Sequence, residues 1–388
     1  MAVLMVGLGA CSGWTRSCEP PDSDLTRRDA TTQARHALDR APASTADGWP
    51  VSTLSAEGIR PGPIAEMLRA IDDGTYTKID SVLIARHGKL VLEAYFNGFT
   101  RARRHNIQSV TKGFTSALIG IAVGKGMIGD IHAPVSTYFP DYWPSIENGL
   151  ARKNRLTLKH LLQMTAGFDP EKGGKLGRDP ANALSPDWIE HVLDLPMTDD
   201  PGTRFSYSSS ASFLLGRVLA RATGSTVPAF AKANLFAPLG IDRYCWKLTD
   251  RQQTLTHSGF FLRPRDMAKF GQLYLRDGVW RGRQVDPAAW IAGSVAWQVE
   301  TKSTRAQKAR GVRNGYGYQW WVQLADPGAD ATLDTYLAVG NGGQKISVYP
   351  NLDMVVVFTG GHYGKPVGHR QTRELLRRYI LPAARGTP

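Results

Sequence analysis

Three cysteines, Cys11, Cys18 and Cys245, are too few for a disulfide framework in a chain of 388 residues, and none lies at zinc-ligand spacing from a histidine. No apolar run is long enough to span a bilayer. No internal period marks a repeat array, and no collagen or coiled-coil pattern is present. Helix-turn-helix, zinc-finger and RNA-binding signatures are also missing, which decides how the charge is read. Lys and Arg number 47 against 34 Asp and Glu, a formal net charge of +13. The positives are scattered over 101–104, 152–155, 302–313 and 370–385. A basic total without a reading motif is a solvated surface, suited to anionic lipid or cell-wall polymer, and not a nucleic-acid site.

What is present is a globular composition, 42% hydrophobic and 21% charged. That supports a sizeable core in two domains, or in one domain carrying an insertion. The segment Leu8-Gly9-Ala10-Cys11 has the form of a bacterial lipoprotein cleavage site, although no basic residues precede it. It implies an exported, periplasmic lipoprotein attached to the membrane through a lipidated Cys11, with a cytoplasmic protein as the alternative. Residues 1–48 are then a signal and a flexible tether, and Cys18 and Cys245 remain, of open pairing.

Apolar spacing predicts a helix near 59–71, and 81–96 reads as a hairpin turning at His87-Gly88. From Ser109 the period becomes helical, through Val110, Phe114, Ala117, Leu118 and Ile121, and Gly124 and Gly126 close the element. Further helices are predicted from Thr157, as N-cap, from Leu214 to Ala222, and from Asp266, also as a cap, to Leu275. Strands return at 318–324, 336–339, 345–349 and 354–359, the last apolar on both faces, before a closing helix over 372–380. The predicted architecture is α/β (α+β), an antiparallel sheet flanked by helices. Residues 49–130 and 256–388 build the sheet domain, and 131–255 form an inserted, mostly helical domain.

The chemistry starts at Ser109-Val110-Thr111-Lys112, the one Ser-x-x-Lys in the chain. Residues three apart share a helix face, so the Lys112 amine can reach the Ser109 hydroxyl and serve as its base. On four letters alone, an exposed capping serine with a solvated lysine is the better reading. A second element is Tyr207, on a Pro- and Gly-led loop ahead of a helix, where it can share and deliver a proton. A third is the Gly-rich strand edge Ala338-Val-Gly340-Asn341-Gly342-Gly-Gln344, where absent side chains open the backbone to a substrate. Of the dispersed histidines, His257 is the candidate for lining the cleft, against a loop-surface reading. Of Trp320 and Trp321, taken to alternate on a strand, Trp320 is assigned to the substrate.

Together with Leu156–Gly167, Gly202–Tyr207, Arg263–Gly271 and Tyr316–Trp321, these residues resemble the β-lactamase and penicillin-binding-protein family, in its class-C-like esterase branch. The resemblance spans about 60–380, and the Gly-Gly-Gln ending is similar to the 6-aminohexanoate-dimer hydrolase subgroup. It implies a serine hydrolase that needs no metal or cofactor and cleaves small esters or amides. Ser109 is then the nucleophile, Lys112 the base and Tyr207 the proton shuttle. The backbone N–H groups of Ser109 and Asn341 form the oxyanion hole. Ser209 stands where the family places an amide, and Ala338-Val339-Gly340 where it places a cation and a hydroxyl. Those departures favour neutral acyl donors over β-lactams. The alternatives are a β-lactamase or D-alanyl-D-alanine carboxypeptidase, and a non-catalytic cell-wall or ligand-binding module. Oligomeric state is not legible.

Overall fold

The computed structural model describes residue 18 and residues 39–173, 187–249, 251–303, 311–328 and 330–385. The expected cleavage site at Cys11 lies outside the described residues. Strands β1 (Ile79–Arg86) and β2 (Lys89–Tyr95) form the predicted hairpin. Short strands β3 (His105–Asn106), β4 (Tyr244–Trp246) and β5 (Phe260–Leu262) make a separate sheet in the order β3-β5-β4, and β6 (Val279–Trp280) with β7 (Arg283–Gln284) makes a ribbon. Strands β8 (Val299–Glu300), β9 (Val312–Tyr316), β10 (Trp321–Ala325), β11 (Thr335–Gly340), β12 (Gln344–Tyr349) and β13 (Met354–Gly360) complete the main sheet. Its order is β2-β1-β13-β12-β11-β10-β9-β8, antiparallel throughout. The first hairpin is therefore added to the far side of β13. That strand is buried along its whole length, as an apolar run with a neighbour on each side must be.

Alternation along the strands divides the core in two. Leu83, Ala85, Val355 and Val357 face one way, onto α2 (Thr111–Gly124) and the helices Ser209–Thr223 and Pro264–Leu275. Val82, Ile84, Val356 and Phe358 face the other way, onto α1 (Pro61–Asp72) and the C-terminal helix Val367–Leu375 with its continuation to Ile380. Among the described residues, the elements between Asn106 and Tyr244 are all helical.

Local signals set several helix ends as expected. Thr157 caps its helix by accepting from His160 N, and Gly224 follows the helix Ser209–Thr223 in the left-handed conformation. Asp266 does not cap. The helix begins two residues earlier at Pro264, and the Asp266 carboxylate is buried between Arg263 (2.6 Å) and Lys269 (3.3 Å). A buried carboxylate needs such partners more than a helix end needs a cap. The chain is also fixed before residue 49, earlier than the expected tether allows. Asp47 pairs with Arg265 (2.7 Å) and Lys269 (3.3 Å), and Asp39 accepts from Ser55 N at 3.0 Å. Cys18 is disulfide-bonded to Cys245, 227 positions away, which joins the N-terminal segment to β4.

Candidate active site

Strand β3 delivers the chain to Ser109. Ile107 N donates to Phe260 O at 2.9 Å, and a 3-10 turn over Gln108–Val110 follows. Gln108 has φ 50°, a left-handed conformation that costs a residue with a side chain of order 1–3 kcal/mol. Asn106 Oδ1 and Thr111 Oγ1 hold this turn by bonding to Gln108 N and O. Ser109 thus sits half-exposed in a tight turn, and α2 begins two residues after it, not at it.

The turn still presents Lys112 to the serine. Nζ lies 3.3 Å from Ser109 Oγ and donates to His257 O at 2.8 Å. Thr115, three residues further along the helix, donates to Thr256 O at 2.7 Å, so two bonds fix the 256–257 loop against α2. Lys112 is 1% exposed, and among the described residues no carboxylate pairs with it. Burial without a counter-charge favours the neutral amine and brings its pKa down to about 7.

Tyr207 closes the third side. Its loop is fixed by Ser206 N to Met164 O (2.8 Å), and Ser208 caps the following helix by accepting from Ala211 N (3.1 Å). The ring stacks on Trp321, with centroids 5.7 Å apart and planes at 19°, and the Lys112 amine stands 5.1 Å from the ring centre. Burial pushes the phenol up to about 12, and a hydrogen bond with Ser109 works in the opposite direction. The phenol therefore keeps its proton at neutrality, next to a desolvated amine.

The fourth side is the end of β11. Strand β10 pairs with Thr335–Leu337, so among the described residues Ala338, Val339 and Gly340 have no strand partner on that edge. A Cβ at Gly340 would lie 2.3 Å from Ile107 O, so glycine lets β11 close onto the turn that carries Ser109. Asn341 follows directly, its Oδ1 accepting from Gly364 N at 2.8 Å.

A hydroxyl, a buried low-pKa amine, a phenol and a free strand edge meet here. A Beta-lactamase family model matches residues 69–377, most of the chain. The protein belongs to the Beta-lactamase family. It is similar to the 6-aminohexanoate-dimer hydrolase of Paenarthrobacter ureafaciens, 25% identical over 87% of this chain and 81% of that one. It is similar to Esterase EstB of Burkholderia gladioli, 26% identical over 41% of this chain and 44% of that one. Among solved structures, EstCE1, a hydrolase with promiscuous acyltransferase activity, shares the fold with a TM-score of 0.64. It is 18% identical and covers 81% of this chain and 98% of that one. The chain is thus a serine hydrolase of the β-lactamase fold, with relatives named as an esterase and a 6-aminohexanoate-dimer hydrolase.

Several residues of this β-lactamase-family hydrolase stand differently from the sequence reading. Trp320 does not face a substrate. It is 0% exposed, packed between Phe270 (6.0 Å) and Tyr274 (4.4 Å) beneath Gly113 of α2. The strand expected from 318 starts only at Trp321, because Gln319 takes a left-handed turn (φ 67°) that sends Trp320 into the core and leaves Trp321 beside Tyr207. His257 is neither loop surface nor an open cleft residue. The residue is 5% exposed with its ring near Phe213, burial and the nearby Lys112 charge keep it neutral with a pKa down to about 3, and its carbonyl holds Lys112. Gly342 is covered by the Tyr363 ring, 2.8 Å from where its Cβ would be, so the missing side chain serves packing within the protein and not substrate approach. Ser209 is half-buried at the first position of its helix.

Proposed function

We propose that this hydrolase cleaves esters or amides of small substrates through an acyl-enzyme on Ser109. The observation that carries this is the Lys112 amine, held 3.3 Å from Ser109 Oγ by a carbonyl rather than by a carboxylate. A lysine paired with an acid would stay charged, whereas burial brings this one down to about 7, so that about half of the amines are neutral at pH 7 and can take a proton. Lys112 Nζ accepts the Ser109 proton as Oγ bonds to the substrate carbonyl carbon. The resulting oxyanion is stabilised by the N–H groups of Ser109 and Asn341. Tyr207 passes a proton to the departing alkoxide or amine and is reprotonated from Lys112. Water then attacks the acyl carbon and gives a proton to the same pair, which returns it to Ser109 Oγ as the bond between Oγ and the acyl carbon breaks and the acid leaves.

Ala338, where the family resemblance implies a cation, is a core residue at 2% exposure, which supports neutral acyl donors. The Cys18–Cys245 disulfide supports an exported enzyme, since such bonds persist in oxidising compartments. Labelling with a fluorophosphonate, followed by peptide mapping, tests the assignment. The adduct is expected on Ser109, and Ser109→Ala should abolish both labelling and turnover of p-nitrophenyl esters. Labelling at another serine, or turnover that persists in the variant, would reject it.

A further inference from the structure

The sheet face opposite the nucleophile carries another buried lysine, Lys345. Lys345 is in register with Val339 and Phe358, and its neighbours Gln344 and Ile346 point to the α2 side. Alternation therefore aims Lys345 the other way, with Tyr349, toward the C-terminal helix Val367–Leu375, which packs on β12. That helix is seated close: a Cβ at Gly368 would lie 2.8 Å from Gly342 O. One helical turn apart on it are His369 and Arg373, both within electrostatic reach of Lys345.

Among the described residues no acid pairs with this group. Lys345 is 6% exposed, and among the described residues neither its side chain nor that of Arg373 makes a hydrogen bond or ion pair. The Nδ1 of His369 is buried without a partner. Glu374, next along the helix, is bonded to the Tyr76 hydroxyl at 2.9 Å. Burial and the Arg373 charge bring the Lys345 amine down to about 7, and burial followed by the Lys345 charge takes His369 down to about 4. Converging cations without a counter-charge are costly, and an anion with several acceptor oxygens relieves that cost.

We propose that Lys345, His369 and Arg373 form a binding site for a phosphate-class oxyanion on the back of the sheet, between β12 and the C-terminal helix. The ammonium and guanidinium supply charge-assisted donors, and the His369 ring supplies a third. Free phosphate and the phosphodiester of an anionic lipid share this chemistry. The exposed Arg370 and Arg377 flank Arg373 on the same helix and extend the positive face toward solvent.

The full chain is titrated with inorganic phosphate slightly below neutrality, against sodium chloride of matched ionic strength, and followed by thermal unfolding. Separately, it is sedimented with vesicles of phosphatidylcholine alone or with phosphatidylglycerol. The wild type should gain about 2 °C at phosphate ten times its dissociation constant. Lys345→Met, an apolar chain of similar length, should lose the response, and the exposed Arg373→Ala should weaken it. Sedimentation with phosphatidylglycerol vesicles that both variants lose, without a phosphate shift, would identify the lipid as the source. A phosphate shift without sedimentation would identify the free ion. Absence of both effects in the wild type, or their persistence unchanged in Lys345→Met and Arg373→Ala, would overturn the proposal.

Discussion

The dependence of rate on pH is the most direct test of the amine at Lys112. An ordinary lysine, with a pKa near 10.4, is neutral in about four molecules in ten thousand at pH 7. With the amine brought down to about 7 by burial, about half are neutral at the same pH. Burial therefore raises the available base by about three orders of magnitude, comparable with the usual contribution of a general base. The sign follows from the role. The amine must be neutral to accept the Ser109 proton, so kcat/KM should fall tenfold per pH unit well below 7 and level off above about 8. Tyr207, pushed up to about 12, keeps its proton over the whole accessible range and should add no descending limb below about pH 10. Steady-state hydrolysis of a p-nitrophenyl ester, corrected for spontaneous hydrolysis, measures the profile. Lys112→Ala should lower kcat/KM by about 10²–10⁴ and abolish the limb near 7. A wild-type profile flat down to pH 5, or the same limb surviving in Lys112→Ala, would refute the reasoning.

Tyr207→Phe keeps the stack on Trp321 and removes only the hydroxyl, so kcat should drop by about 10²–10⁴ with little change in melting temperature; a near-normal rate would remove the proton carrier from the mechanism. Lys112→Met should be more stable than the wild type at neutral pH, by roughly 1–3 kcal/mol in urea unfolding, because a desolvated amine is replaced by an apolar chain; equal or lower stability would mean that the bond to His257 O outweighs the desolvation. Gly340→Ala meets Ile107 O at 2.3 Å and must push β11 off the Ser109 turn. It should cut kcat by at least tenfold and shift KM far less, and unchanged kinetics would disprove the close approach. Trp320→Leu should cost about 2–4 kcal/mol of stability while leaving KM for small esters unaltered, as befits a core residue; a raised KM in a stable variant would return Trp320 to the substrate.

Most of the scaffold was legible because its signals are local. The hairpin at His87-Gly88, the Thr157 cap, the stop at Gly224 and the doubly apolar strand near 354–359 each depend on neighbouring residues, and each lies where periodicity placed it. Asp266 was misread as a cap because its partners, Arg263 and Lys269, are recognisable only once burial is known. Trp320 and Trp321 exchanged roles because one left-handed residue, Gln319, shifts the start of β10, and nothing in the local pattern announces it.

The sequence by itself determined the order of elements, the helical spacing that brings Ser109 and Lys112 to one side, and the presence of a tyrosine loop and a Gly-rich edge. Those follow from backbone geometry and side-chain period, which act over a few residues. Only the tertiary structure decided the state of the groups. The carbonyl of His257 reaches Lys112 across 145 positions. Trp321 backs Tyr207 across more than a hundred. Lys345 meets His369 and Arg373 only because the C-terminal helix folds back over β12. Desolvation and electrostatics depend on everything nearby in space, whatever its distance along the chain, and so the charge on a lysine is a property of the fold.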